Sequence, residues 1–431
     1  MLPYAGKKVV IMGLGRMAKG SGVSAALFFA RAKAKVVVTD SRPSSLLNKE
    51  SIAKLKKFKN VQLVLGRHRM EDFVSADIVI KNPAVKPNSS YLHAATDNCA
   101  LILTDLGLFF DYIHGKNIKV IGITGTRGKS TTTTLIYEIL KAKYKNKVYL
   151  GGNIGNSPLN FMEKLKEGDL VVMEVASFQL HDLYNHHFNT AVITNILPDH
   201  LDYYKNMAQY QKDKENIFNT QTESDYLVLN KADKKVKAIA AKAKSKIVFY
   251  ADSHKVKLSE IQILGKHNLS NIAAAWTVGN IYKVPDGIIK KVVKEFKGVE
   301  SRLELIREYK GVKFYNDTTS THPKATVVAL QAFPKKKIIL ISGGNTKNLP
   351  LNEMSREIKR SARDLILVPG NANGGLPKGI NVKNIQEAVK KAWHLAKKGD
   401  VILFSPGLTW LPAINEFKRG DVFTELVRRI A

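Results

Sequence analysis

The sequence predicts an α/β protein of three domains, each built on a parallel sheet with helices on both faces. Three observations predict it. The 431-residue chain exceeds what one hydrophobic core usually serves. Short β-branched runs alternate with helical segments along its length. Glycine-rich turns follow two of those runs directly, at Gly13–Gly15 and at Gly125–Gly128. Breaks near Gly107 and near Gly298–Ser301 divide the chain into 1–107, 108–299 and 300–431.

The elements follow in order. Val9–Met12 reads as a first strand and is too short for a signal peptide. After Gly13-Leu14-Gly15 an Ala/Phe-rich helix is expected through about Ala34, then a strand Val36–Thr39 ending at Asp40. Ile118–Thr124 is a strand that enters the second glycine turn. Leu170–Met173, Ala191–Asn195, Ile338–Ser342, Leu365–Val368 and Val401–Ser405 continue the pattern, and a Lys-rich helix Ile288–Phe296 precedes the third domain. Open sheets of this kind hold ligands at the carboxyl ends of their strands.

Composition excludes several classes. With 44% hydrophobic and 24% charged residues the chain has an ordinary soluble composition. No apolar run reaches the ~18 residues of a membrane span, so stable membrane insertion is not expected and the cytoplasm is. A single cysteine, Cys99, excludes an internal disulfide framework and a Cys-based zinc site. The formal charge of +31 is spread out. Its local runs, Lys141–Lys147 and Lys231–Lys246, alternate with alanine and hold few aromatics for base stacking. They read as solvated helix faces, with no nucleic-acid partner expected, though the charge attracts anionic substrates.

Gly125-Thr126-Arg127-Gly128-Lys129-Ser130-Thr131 carries the strongest local signal. Backbone N–H groups of a glycine turn at a helix N-terminus point at an anion, and the helix dipole adds to the attraction. Lys129 supplies a mobile charge for β- and γ-phosphates, and the Ser130 hydroxyl can ligate Mg²⁺. The long phosphate-loop pattern fails because Ile123 stands where its first glycine belongs; the short form Gly-Thr-x-Gly-Lys-Ser is present. Gly13-Leu14-Gly15-Arg16-Met17-Ala18, with Asp40 ending the next strand, fits a dinucleotide fold. The same physics suits any nucleoside diphosphate.

From the phosphate loop onward the chain resembles the Mur ligases of bacterial cell-wall synthesis, and among them the members that add D-glutamate. The segments that carry the resemblance are Gly151-Gly152-Asn153-Ile154-Gly155, Glu174-Val175-Ala176-Ser177-Phe178-Gln179-Leu180, Asp199-His200-Leu201-Asp202, Tyr210–Lys214, Gly265-Lys266-His267-Asn268 with Asn271, Arg302, and Asn316-Asp317. The resemblance implies Rossmann-like first and third domains around a central ATPase domain. It implies that UDP-N-acetylmuramoyl-L-alanine is activated by ATP as an acyl phosphate, which D-glutamate then attacks. A sibling ligase with another amino acid is the alternative, and a monomer is expected.

Site residues follow from the same resemblance. ATP falls to Gly125–Thr131, Asn268, Asn271, Arg302 and Asp317. Two Mg²⁺ ions fall to Ser130, Glu174, His200 and Lys214, with Lys214 carbamylated by CO₂ so that it becomes an anionic ligand. Lys129, Glu174, His200 and Lys214 form the catalytic group. The UDP substrate falls to Arg16, Met17, Asp40, Ser41, Arg42, Asn153, Ser177 and Gln179, and the amino acid to Thr321 and Lys347. Without the resemblance, Glu174 reads as a cap residue, His200 as structural and Lys214 as a solvated helix lysine. The chain departs from the family pattern at Asn82-Pro83-Ala84, at Ala176, at Ser301, at Thr318-Thr319 and across Ser405–Pro412, where Trp410 stands.

Overall fold

The structure is a computed structural model and describes residues 4–199, 203–252, 255–345, 349–409 and 416–430. It falls into two compact units, residues 1–255 with 269–293, and residues 256–268 with 294–431.

The first unit holds two sheets. One is β1 (Lys8–Met12), β2 (Lys35–Asp40), β3 (Val61–Leu65), β4 (Ile78–Lys81) and β5 (Leu101–Leu103), in the order 3-2-1-4-5. All its pairings are parallel. The other is β6 (Lys119–Thr124), β7 (Val148–Gly152), β8 (Leu170–Glu174), β9 (Thr190–Ile193), β10 (Tyr226–Asn230) and β11 (Lys246–Tyr250), in the order 11-10-9-6-8-7 and again parallel. The helix Asp105–Ile113 joins them, with Thr104 accepting the Gly107 N–H at its start. Its Phe109 and Phe110 stand 6.5 Å from Phe161 and 5.1 Å from Phe188, so one apolar core runs through both sheets.

In the second unit the sheet is β12 (Glu304–Tyr309), β13 (Val312–Asn316), β14 (Ile338–Ser342), β15 (Ala362–Leu367), β16 (Ile380–Asn381) and β17 (Val401–Phe404), in the order 12-13-17-14-15-16. Separate apolar clusters cover its two faces.

The sequence expectation of parallel pairing fails at β12, which is antiparallel to β13. The turn between them, Lys310-Gly311, has positive φ at both positions, 48° and 75°. That is the twist of a two-residue hairpin. The first helix ends at Arg31 rather than near Ala34, because Lys33 takes a left-handed φ of 60°. β9 ends at Ile193, two residues before the expected Asn195, because Thr194 and Asn195 turn to bind the phosphate loop. No helix among the described residues is long and apolar enough to cross a membrane.

At the centre of its sheet, β6 carries Gly122, and a Cβ there would lie 2.5 Å from Cδ1 of the buried Phe188. Gly122→Ala is expected to cost about 1–3 kcal/mol by overpacking. A urea midpoint lowered at unchanged slope checks this; an unmoved midpoint would show that the ring yields freely.

Candidate functional site

The carboxyl end of β6 opens into the glycine turn that caps the helix Lys129–Tyr144. Gly125 and Gly128 hold positive φ, 140° and 80°. A side chain at Gly125 would collide with Thr194 Oγ1, and one at Gly128 with Asn271 Oδ1. Glycine is therefore required at both positions by space as well as by backbone conformation. Thr194 and Asn195, one strand over, strap the turn. Thr194 Oγ1 donates to Arg127 O at 2.7 Å and Asn195 Nδ2 to the same oxygen at 3.0 Å. Asn195 returns two acceptors, Oδ1 to Arg127 N at 2.8 Å and its carbonyl to Thr126 N at 2.9 Å. The sequence places this pair only at the end of the expected strand Ala191–Asn195.

Lys129 bends back, its Nζ 3.1 Å from Thr126 O. Ser130, in the first turn of the helix, is buried. Glu174, 2% exposed at the end of β8, has Oε1 accepting Asn153 Nδ2 at 2.9 Å. Its Oε2 is buried with no hydrogen-bond partner. A buried carboxylate oxygen left open beside a phosphate turn fits a hard cation with oxygen ligands. Among the described residues no three acidic, imidazole or thiol side chains converge into a ready cation cage.

Lys214 is not a solvated helix lysine. It is 1% exposed, its Nζ lies 2.9 Å from Gly125 O, and the ammonium sits 4.5 Å from the centre of the Tyr210 ring. Burial, then the nearby Lys129, hold its pKa well below the usual lysine range, against the pull of Asp199 and Glu174. Tyr210, which the sequence reading used only to mark a motif, exchanges a 3.1 Å hydrogen bond with Thr126 Oγ1. Its own hydroxyl is pushed up to about 12, chiefly by burial.

In the first sheet Asp40 faces the glycine turn after β1. Its Oδ2 accepts Leu14 N at 2.9 Å and Gly15 N at 3.4 Å, and both oxygens pair with the Arg42 guanidinium. Burial works to raise its pKa, but the Arg42 and backbone hydrogen bonds prevail and lower it. Sequence reasoning set Asp40 against a nucleoside; the structure has its carboxylate engaged within the chain, ordering the turn and Arg42. Arg16 and Ser41 are exposed nearby, and Met17 lies against Gly155 of the second sheet's Gly151–Gly155 turn. Ser177 is buried at the start of the helix Ser177–His181. Gln179 Oε1 accepts Ala176 N at 3.0 Å, which caps that helix.

Asn271 belongs to the first unit, where Thr132 Oγ1 lies 3.4 Å from its Oδ1. The remaining nucleotide and amino-acid candidates belong to the second. Asn268 donates to Leu264 O at 2.7 Å, Arg302 is exposed and Thr321 is half-buried. Asp317 is fully buried and accepts from Leu303 N, Ser320 Oγ and Ser405 Oγ, and burial pushes its pKa up to about 6. His200, Lys347 and Trp410 lie outside the described residues.

Known proteins resemble the chain in sequence and fold. Residues 7–103 match the Mur ligase MurD-like N-terminal domain, 123–260 the Mur ligase middle domain, and 301–408 the Mur ligase glutamate ligase domain. The chain is 34% identical to a UDP-N-acetylmuramoylalanine–D-glutamate ligase of Roseiflexus, over 99% of both chains. It is 35% identical to the ligase of that name from Borreliella burgdorferi, over 98% of this chain and 97% of that one. A UDP-N-acetylmuramate–alanine ligase from Thermotoga maritima shares the fold with a TM-score of 0.64 at 18% identity, over 98% and 99% of the two chains. A MurF ligase from the same organism, in complex with ADP, gives 0.61 at 19% identity, over 92% and 96%.

The depressed pKa of Lys214 has a sign that can be checked. The unfolded chain holds this proton up to about pH 10.4, and the folded chain releases it sooner. Stability contributed by the group therefore rises with pH between the lowered folded value and the ordinary one. Lys214→Met should remove that rise and, in CO₂-free buffer near pH 7, should stabilise the protein by roughly 1–3 kcal/mol. A lower urea midpoint for the variant would mean that the bond to Gly125 O outweighs desolvation.

Proposed function

The chain belongs to the Mur ligase family, and from that premise we propose that it joins D-glutamate to UDP-N-acetylmuramoyl-L-alanine with ATP, releasing ADP and phosphate. One observation supports the chemistry above the others: the phosphate turn, the open oxygen of Glu174 and the buried amine of Lys214 share one end of one sheet. The full-length likeness to two ligases of that name supports the substrates. ATP and a UDP-linked precursor are cytoplasmic pools, so the cytoplasm is the proposed site of action. A monomer suffices, since every motif comes from one chain.

The reaction divides into two displacements. A carboxylate oxygen of the alanyl group attacks the γ-phosphorus of ATP; an acyl phosphate forms and ADP leaves. The amine of D-glutamate attacks the acyl carbon, the tetrahedral intermediate collapses, phosphate leaves and the amine's proton is lost. The first N–H groups of the helix Lys129–Tyr144 and the Lys129 ammonium hold the charge that gathers on the phosphoryl oxygens. Ser130, Glu174, His200 and a modified Lys214 are the residues that would hold Mg²⁺, which when bound would neutralise phosphate charge. The neutral amine of Lys214 can add to CO₂, losing a proton, to give an N-carboxylate. Asn268, Asn271, Arg302 and Asp317 are assigned to the nucleotide, and Thr321 and Lys347 to the two carboxylates of glutamate. The UDP substrate is assigned to the first domain through Arg16, Met17, Ser41 and Arg42, with Asn153 and Ser177 toward its acyl end and Asp40 and Gln179 as supports.

Phosphate release with the UDP substrate and a panel of D- and L-amino acids tests the reading. D-glutamate is expected to be preferred; inert D-glutamate beside active L-alanine or a diamino acid would move the chain to a sibling activity. Lys129→Ala should lower kcat about a hundredfold or more, as removal of comparable electrostatic contacts does, while binding of the UDP substrate persists. Lys214→Ala should lose most activity and regain part of it in concentrated acetate, which supplies a carboxylate at the vacant position. Full activity of that variant without acetate in CO₂-free buffer would refute the carbamate.

A further inference from the structure

A buried ion pair links two parts of the first unit that the reaction scheme leaves without a role for it. Lys81, the last residue of β4, places Nζ 2.7 Å from Asp182 Oδ2, with side-chain exposures of 4% and 12%. Asp182 is the C-cap of the short helix Ser177–His181 beyond β8, so the pair spans from the first sheet to an element of the second. Lys81 Nζ also donates to Val85 O at 3.0 Å. That bond closes the loop Asn82–Val85, which the turn bond from Val85 N to Asn82 O already folds. Asn82 in turn lies on the glycine turn of β1. Its N–H donates to Met12 O at 2.9 Å and its Nδ2 to Gly13 O at 3.3 Å.

The energetics say what this pair is not for. Taking an ammonium and a carboxylate out of water costs several kcal/mol per ion in order of magnitude, and two packed apolar side chains would join the same surfaces at least as well. What the ions add is direction. One ammonium bonds a carbonyl of the loop and a carboxylate of the neighbouring element, and apolar packing would fix neither. The groups facing Asp182 besides Lys81 are His181, Asp213 and Tyr203. Of these only His181 could supply a cation, and it already pairs with Asp213 at 3.1 Å. Lys81 is thus the cation that Asp182 is held by.

We propose that Lys81 and Asp182 are positioning residues for the UDP-linked substrate, fixing the loop Asn82–Val85 over the glycine turn and in register with the helix that begins at Ser177. The inference rests on the function proposed above. It places the diphosphate-facing turn and the acyl-facing helix under one ionic link, so that breaking the link loosens the hold on the substrate without touching the ATP site.

Steady-state phosphate release from Lys81→Met, Lys81→Arg, Asp182→Asn and the double variant Lys81→Met/Asp182→Asn tests it. Lys81→Met and Asp182→Asn should each raise KM for the UDP substrate about tenfold, with kcat and KM for ATP held within about twofold. Lys81→Arg, which keeps the charge and the donors, should stay near the parent. The double variant should be no worse than Lys81→Met, because both changes cut one link. Folded Lys81→Met with unchanged KM, equal rises in both KM values, or additive losses in the double variant would each overturn the inference. If Lys81→Met does not fold, by circular dichroism, Asp182→Asn carries the same expectation. A parent enzyme that releases no phosphate would instead defeat the proposed function. Calorimetric titration of UDP into the parent and Asp182→Asn would then still decide the pair: a Kd weakened about tenfold supports it, and equal affinities overturn it.

Discussion

A phosphate-binding turn leaves N–H groups of the following helix open to an anion, and it holds that shape only if its carbonyls are satisfied inside the protein. Here each of the turn's four carbonyls has its own donor. Gly125 O takes Lys214 Nζ, Thr126 O takes Lys129 Nζ, Arg127 O takes Thr194 and Asn195, and Gly128 O takes the Thr132 N–H. The first N–H groups of a helix have no intrahelical acceptor, so they are the ones left to face an anion. Most of the central sheet's ligand end can be derived from this requirement. β9 stops early to send Thr194 and Asn195 across, and the helix carrying Asn271 packs so closely that only glycine fits at 128.

The same accounting explains why a lysine could be buried there at all. An ammonium at 214 has one carbonyl and one aromatic face, which is poor compensation for lost water. A neutral amine needs only the carbonyl. Carbamylation would leave one N–H on Nζ, enough to keep the bond to Gly125 O, and would add a carboxylate on the side of Glu174 and Asp199. The structural bond and the proposed metal ligand are therefore compatible in a single side chain. In an alanine variant supplied with acetate the carboxylate returns but the bond to the turn does not, so recovery is partial for a physical reason.

Much of this was legible in the sequence because it is local. Strand, glycine turn and helix are contiguous, so Gly125–Ser130 and the turn Gly13–Gly15 could be read directly, and the α/β class followed. Glu174 stands at the carboxyl end of a buried strand, but by itself it reads as a cap residue, and only the family resemblance makes it a metal candidate. What could not be read was set by neighbours in the sheet rather than in the chain. Thr194, Asn195 and Tyr210 meet the turn only because β9 lies beside β6 and the helix Met207–Glu215 folds back over it. Composition made Lys214 look like any of the chain's many lysines, and only its 1% exposure separates it from them. The hydrogen bonds that Asp40 and Gln179 make within the chain could not be foreseen from residue type and position. The antiparallel edge strand β12 was missed because its signal is one residue pair, Lys310-Gly311, inside a charged stretch.

The excess of positive charge has the opposite lesson. A formal charge of +31 draws anionic substrates toward the protein from a distance but selects none of them. Among the described residues three basic side chains are concealed from water, Lys81, Lys214 and Arg419. Each one spans two segments. Lys214 ties its helix to the phosphate turn, and Lys81 ties the first sheet to the helix at Ser177. Arg419 donates to Thr318 O beyond β13 and to Leu408 O beyond β17, two loops at the carboxyl ends of neighbouring strands of the third sheet. An exposed lysine can be exchanged for another charge at little cost, since water solvates either. A buried one cannot be removed so cheaply, because the carbonyl or carboxylate it bonds is left without its donor. The concealed basic side chains of a strongly basic chain therefore order its loops and turns, and its exposed charge governs how fast an anionic ligand arrives.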